Sequence, residues 1–134
     1  MDFKIKYTGA GNRTLTLAKD SATVIEAWDL VALASGLAIK WVAASTALAY
    51  AEVGAGVGET EITVNADPEL VLIGTADANF AATNRGTEVD LVGTTTQLID
   101  LGASVTDVLK ILPSIDAGTV GATTEVLVKI NKSL

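Results

Sequence analysis

The chain contains no histidine and no cysteine in its 134 residues. These two side chains supply most general bases, activated nucleophiles and transition-metal ligands in proteins. The serines therefore have no histidine to activate them, and no serine stands three residues before a lysine. We expect a protein that is not an enzyme, with no catalytic residue, no cofactor and no metal site.

Large side chains are also scarce. Apolar residues make up 49% of the chain, but they are mainly alanine and valine, and only six residues are aromatic. The aromatic residues are Phe3, Tyr7, Trp28, Trp41, Tyr50 and Phe80. This composition predicts thin layers, or flat apolar surfaces that assembly buries. Without cysteine there is no disulfide framework, so stability must come from packing or oligomerisation.

No membrane or export segment is evident. The longest apolar stretch, 30–53, is interrupted by polar and charged residues, whereas a membrane span needs about 20 predominantly apolar ones. The first residues, 1–4, have no apolar core followed by a cleavage site. We therefore expect synthesis in the cytoplasm and no membrane partner.

The net charge of −7 is unevenly distributed. Residues 1–19 carry a balance of +3, residues 20–128 a balance of −12, and the last six residues a balance of +2. An acidic body repels nucleic acid, so we expect no nucleic-acid partner. The basic ends either serve solubility or dock on an acidic partner surface, and the cations available in the first segment are Lys4, Lys6, Arg13 and Lys19.

The first nineteen residues are typical of a β-hairpin. Residues 3–7 and 14–17 alternate apolar and polar side chains, and 9–12 between them is typical of a turn. The pattern predicts a basic N-terminal hairpin or arm over 1–19, followed by a β-rich core over 20–134 within a single domain.

The rest of the chain shows short strands about every ten residues. A second hairpin is predicted from residues 29–33 and 37–43 around Ser35-Gly36. For residues 44–53 a helix capped by Ser45 and a strand are both open, and the neighbouring two-residue patterns favour the strand. Further strands are predicted at 61–64, 69–74, 86–91, 97–101, 108–112 and 125–130. The pattern indicates an all-β fold, a small barrel or sandwich of short antiparallel strands with little helix.

The motifs that suggest binding chemistry have simpler interpretations. Gly54, Gly56 and Gly58 lack the spacing and the following helix of a dinucleotide site, and acidic residues follow them. Acids in neighbouring strands and loops could form a catalytic pair or bind Ca²⁺. We expect instead that they lie on solvated faces; these acids are Asp90, Asp100, Asp107 and Asp116.

Two side-chain types are candidates for partner contacts. Arg85 lies in the longest predicted loop, where it is either an incidental charge at a turn or an interface anchor, a role for which arginine is favoured. Trp28 and Trp41 flank or occupy the second hairpin, where they are either core residues or anchors on a partner. The candidate contact residues are therefore Lys4, Lys6, Arg13, Lys19, Trp28 and Arg85.

Several segments together resemble a known family. These are residues 29–33 with the turn after them, the alanine-rich 47–51, the strand 61–64, and the closing segments 89–91, 99–101 and 126–130. Over residues 25–130 the chain resembles the small decoration, or cement, proteins of tailed-phage capsids. The resemblance is one of pattern and composition.

The resemblance implies a β-rich protein that binds the outside of a virion head and braces it against internal DNA pressure. Such proteins commonly form trimers or other oligomers, so it implies a major capsid protein as partner and a homo-oligomer, with a trimer favoured. Residues 1–19 match the family's terminal arm but lack a long Pro/Gly-rich stretch, which argues against ordering upon binding. The alternatives are another virion module (tail tube, fibre or adhesin) and a carbohydrate-binding module.

Overall fold

The computed structural model describes residues 2–7, 13–41, 45–93 and 95–134. This part of the chain contains eleven strands and two short 3-10 turns, Ala82–Asn84 and Ile115–Ala117. The strands are β1 (Lys4–Tyr7), β2 (Thr14–Ala18), β3 (Leu30–Ala34), β4 (Leu37–Lys40), β5 (Ala49–Tyr50), β6 (Glu61–Asn65), β7 (Val71–Gly74), β8 (Glu88–Val92), β9 (Leu98–Asp100), β10 (Leu109–Ile111) and β11 (Val126–Ile130). The prediction of a mainly β fold is confirmed.

The strands form two antiparallel sheets. One has the order β1-β7-β11-β10-β8-β9 and the other the order β2-β6-β5-β3-β4. The sheets do not close into a barrel. They share a large apolar cluster, so we describe the fold as two packed sheets.

The predicted pairing of the first two strands is wrong. β1 pairs with β7, Lys4 lying opposite Ile73, whereas β2 pairs with β6, Thr14 lying opposite Asn65. The two strands therefore belong to different sheets. The physical reason is that Phe3, beside β1, is buried in one apolar cluster, whereas the leucines of β2 pack against another. The turn predicted at 9–12 lies outside the described residues.

The second predicted hairpin is confirmed. β3 and β4 pair around Ser35 and Gly36, whose φ angles are +51° and +79°. Positive φ at both central residues is the signature of the type I′ turn that suits the twist of a two-residue hairpin. Residues 42–44 lie outside the described part of the chain. Among the described residues of the ambiguous segment, 45–53, only Ala49–Tyr50 is a regular strand.

The larger apolar cluster contains residues of both sheets. Its bulkiest members are the aromatics Phe3, Trp41, Tyr50 and Phe80, each at most 1% exposed. The Tyr50 hydroxyl donates to the carbonyl of Phe3 at 2.8 Å. Burial, followed by the charges of Glu52 and Asp29, raises the pKa of Tyr50, so this hydroxyl remains a hydrogen-bond donor.

A second, smaller cluster lies on the other face of the β2-to-β4 sheet. It is built from small side chains such as Val31, Ala38 and Val64. The end strands of this sheet, β2 and β4, approach with Cα atoms within 8 Å although they are not neighbours in the sheet. The sheet therefore curls around a core that alanine and valine are small enough to fill.

Candidate interaction surface

The cationic residues Lys4 and Lys6 lie on the exposed face of β1, an end strand of its sheet. The pairing of β1 with β7 shifts register between Ile5 and Tyr7. Lysines and a local irregularity are the devices by which natural end strands avoid uncontrolled pairing. A partner at this edge would therefore meet the lysine side chains more readily than the backbone hydrogen-bonding groups of β1.

Trp28 lies beside the beginning of β1. It has a φ of +73°, and its side chain is 42% exposed. Its N–H donates to the carbonyl of Ala51, and its carbonyl accepts from the N–H groups of Asp2 at 3.2 Å and Phe3 at 3.0 Å. A bulky residue at positive φ is unfavourable by about 1–3 kcal/mol, so the surrounding contacts hold Trp28 in place.

Trp41 differs from Trp28, because it is only 1% exposed and belongs to the main core. The two tryptophans therefore do not form a paired exposed platform. The core interpretation holds for Trp41, and the exposed side chain is that of Trp28.

A charged network fixes the start of β1. The Lys40 ammonium lies 3.1 Å from a carboxylate oxygen of Asp2 and 3.3 Å from one of Asp29, which is buried. It also donates to the carbonyl of Thr95 at 2.7 Å. Burial alone would lower the pKa of Lys40, but the hydrogen bond and charge of Asp2 with those of Asp29 outweigh it and raise the pKa. The ammonium therefore stays charged.

Gln97 extends this network across the two sheets. Its backbone N–H donates to Asp2 at 2.8 Å. Its side-chain amide accepts from the N–H of Leu30 at 2.9 Å and donates to the carbonyl of Leu30 at 2.8 Å. The carbonyl of Leu30 also accepts from the N–H of Trp41 at 3.0 Å, so the buried amide of Gln97 completes the hydrogen bonding of Leu30 just beyond the end of β4. It joins β3 to the segment before β9.

Of the other predicted contacts, Lys19 requires a correction. It is 3% exposed, and its ammonium donates to the carbonyls of Asp20, Thr23 and Gly56. This lysine satisfies loop carbonyls instead of facing a partner. Arg13 is exposed immediately before β2. Arg85 is partly buried, and its guanidinium donates to the carbonyl of Ile115 at 3.5 Å.

The prediction of a solvated face is wrong for Asp90. Asp90 is 8% exposed, and its carboxylate accepts the backbone N–H groups of Val105, Thr106 and Asp107 at 2.8–3.0 Å. Burial would raise its pKa, but the hydrogen bonds from Asp107, Val105 and Thr106 outweigh that effect and lower the pKa. Asp90 therefore stabilises the loop of residues 105–107 through hydrogen bonds.

The other predicted acids have different surroundings. Asp100 lies directly opposite Asp90 in the β8–β9 pair, and its pKa is raised, chiefly by burial and also by Asp77 and Asp90, despite the hydrogen bond from Gly102. Asp107 is partly buried and bonds to Ser104, whereas Asp116 is exposed. Within the described ranges no group of three or more acids is arranged to hold a metal ion.

Sequence reasoning missed the roles of Gln97 and Asp90. Gln97 begins a predicted strand, and nothing in its sequence neighbourhood indicates that β3 needs an amide partner. Asp90 stands between Val89 and Leu91, a pattern that a solvated strand face shares. The loop that covers it is visible only in three dimensions.

No helix in the described part of the chain is long and apolar enough to cross a membrane. Comparisons of the chain with protein-family models, with curated proteins and with solved structures find no match.

Proposed function

We propose that this chain is a structural virion protein that binds the outer surface of a phage capsid and stabilises the head as a decoration protein. The observation that carries the proposal is that two exposed lysines, Lys4 and Lys6, lie on β1, and the residues that precede them bond to the backbone of the exposed Trp28. The proposed contact combines two exposed cations with an exposed aromatic side chain, and backbone hydrogen bonds join Trp28 to residues 2, 3 and 51.

The types of these residues and their fixed backbone support docking on a large, repetitive partner. Tryptophan is a preferred anchor at interfaces, and lysines steer an acidic surface into contact. The Lys40 network holds β1 beside Trp28, so little ordering is needed when a partner binds. Repetition of a modest contact over a symmetric lattice makes overall attachment strong.

The proposal also covers the partner, the oligomeric state and the location of the protein. The partner is the major capsid protein, the protein acts as a homo-oligomer with a trimer favoured, and its location is the exterior of the virion. The edge position of the lysines supports a role in docking, because β1 has a neighbour on one side only in its sheet.

Co-sedimentation with empty heads of the phage that encodes the chain tests the proposal. We expect saturable binding that is weakened by Lys4→Glu, Lys6→Glu and Trp28→Ala. Lys110→Glu is the matched control, because it reverses an exposed lysine on β10 of the same sheet, away from the edge. Heads that bind none of the wild-type protein, or that bind the Trp28 and Lys4 variants as well as the control, would contradict the proposal.

A further inference from the structure

One edge of β6 is unpaired along most of its length. The N–H of Lys19 donates to the carbonyl of Thr60, and the N–H of Ala66 donates to the carbonyl of Arg13. Opposed residues in an antiparallel pair alternate between bonded and non-bonded. With the β2–β6 register, Ile62 and Val64 therefore exchange bonds with β2, and the backbone groups of Glu61 and Thr63 point to the opposite edge.

The strand that should cover that edge turns away. β5 meets β6 only where Tyr50 lies opposite Asn65. After Tyr50 the chain bonds elsewhere: Ala51 donates to Asp29 at 2.9 Å, and Ala55 exchanges hydrogen bonds with Ile25 at 2.8 and 3.0 Å. Among the described residues, no backbone hydrogen bond joins 51–55 to 61–64.

Glycine at position 54 allows this departure. A Cβ there would lie 2.7 Å from the carbonyl oxygen of Ile25 and 2.9 Å from the nitrogen of Ala27. Contacts this short are forbidden for a side chain, so glycine lets the segment lie tightly against residues 25–27 and away from β6.

A groove of about 290 Å³ lies between the two segments. Its apolar lining includes Ala55, Ile62 and Val64. Its acidic lining consists of Glu52, Glu59 and Glu61, all exposed, and no lysine or arginine is among the described residues that line it. The groove thus offers unpaired strand hydrogen-bonding groups, an apolar floor and negative charge.

We propose that this groove binds an extended, lysine- or arginine-bearing segment of a partner polypeptide as an added strand along β6. Main-chain hydrogen bonds to Glu61 and Thr63 supply affinity in this mode of recognition, and alternate side chains supply specificity. Cationic side chains of the segment meet the three carboxylates, and small apolar ones face the floor. The inference does not depend on capsid binding, which concerns the surface of Lys4, Lys6 and Trp28.

The probe for this proposal is a labelled six-residue peptide that alternates lysine and valine, with a glutamate–valine peptide as the comparison. Fluorescence anisotropy should show saturable binding of the first peptide only, and the binding should weaken with salt. In the free protein, the amides of Glu61 and Thr63 should exchange hydrogen faster than those of Ile62 and Val64. Saturating lysine–valine peptide should slow the first pair.

Thr63→Pro is the decisive variant. It removes an N–H that points to the groove and leaves the bonds to β2 in place, so it should weaken peptide binding about tenfold, the effect of one lost hydrogen bond. Thr63→Val keeps the N–H and should bind like the wild type. If the proline variant does not fold, the double variant Glu52→Gln with Glu61→Gln should weaken binding severalfold.

Three results would overturn the proposal. The first is that the lysine–valine peptide does not bind the wild-type protein. The second is equal binding of the glutamate–valine peptide. The third is a folded Thr63→Pro variant with unchanged affinity, because the N–H would then have no role.

Discussion

At the scale of single residues, the facing pair Asp90 and Asp100 shows how two identical side chains acquire opposite roles. Asp90 accepts backbone N–H groups from the loop above it, and these bonds stabilise its charged form. Asp100 lies opposite, where burial and neighbouring carboxylates disfavour charge. The surroundings therefore stabilise the charged form of Asp90 and destabilise the charged form of Asp100.

Asp90→Asn should destabilise the protein by about 2 kcal/mol, because an amide NH₂ group would face backbone donors in place of an acceptor oxygen. Urea unfolding at neutral pH measures the change. Asp100→Asn is the matched control and should leave the midpoint unchanged or raise it. Equal destabilisation by both variants would contradict the assigned roles.

The same pair predicts a dependence on pH. The pKa of Asp90 is lower in the folded state than its ordinary value of 3.8, so its contribution to stability is present above that value and is lost as the pH falls through the folded pKa. The wild type should therefore lose its advantage over Asp90→Asn in acid. Thermal unfolding between neutral pH and pH about 2 tests this, and an advantage that is constant over the range would contradict it.

At the scale of elements, the turn between β3 and β4 is the clearest case of local control. Ser35 has a left-handed backbone conformation in a turn type for which Asn-Gly is the preferred pair. Ser35→Asn should therefore raise the free energy of unfolding by about 0.5 kcal/mol, and Ser35→Val should lower it. Thermal unfolding of both variants measures this, and the reverse order would show that the turn is not of this type.

The elements also show what a sequence can and cannot predict. Alternation located most strands, and Ser35-Gly36 identified the β3–β4 hairpin, because these signals depend on neighbours in the chain. Alternation could not show that β1 and β2 join different sheets, since that depends on where Phe3 and Leu15 find apolar partners. Likewise, the residue type makes Trp28 a candidate, but its exposure and its backbone bonds to residues 2, 3 and 51 depend on contacts distant in the chain.

At the scale of the whole molecule, Gln97 and the Lys40 network join the two sheets. Gln97→Ala should destabilise the protein by about 2 kcal/mol, because it leaves the buried N–H of Leu30 without a partner, whereas the carbonyl of Leu30 keeps its bond from the N–H of Trp41. Urea unfolding followed by tryptophan fluorescence and by far-ultraviolet circular dichroism measures this. An unchanged midpoint by both probes would mean that the sheets do not depend on this junction.

The two proposed binding regions lie beside different strands, β1 and β6. The lysines and Trp28 beside β1 are proposed to face the capsid, and the acidic groove beside β6 is proposed to accept a basic strand. Their effects are separable, since Lys4→Glu should alter binding to heads and leave the lysine–valine peptide bound, whereas Thr63→Pro should do the opposite.

The number of copies bound per head at saturation tests the capsid proposal most directly. Empty heads would be titrated with purified protein, sedimented, and the bound protein counted against the major capsid protein. We expect a plateau at a fixed ratio set by the symmetry of the shell, and Trp28→Ala should need a higher protein concentration to reach it. Uptake that never saturates, or no uptake at all, would contradict the proposal that this chain is a head decoration protein.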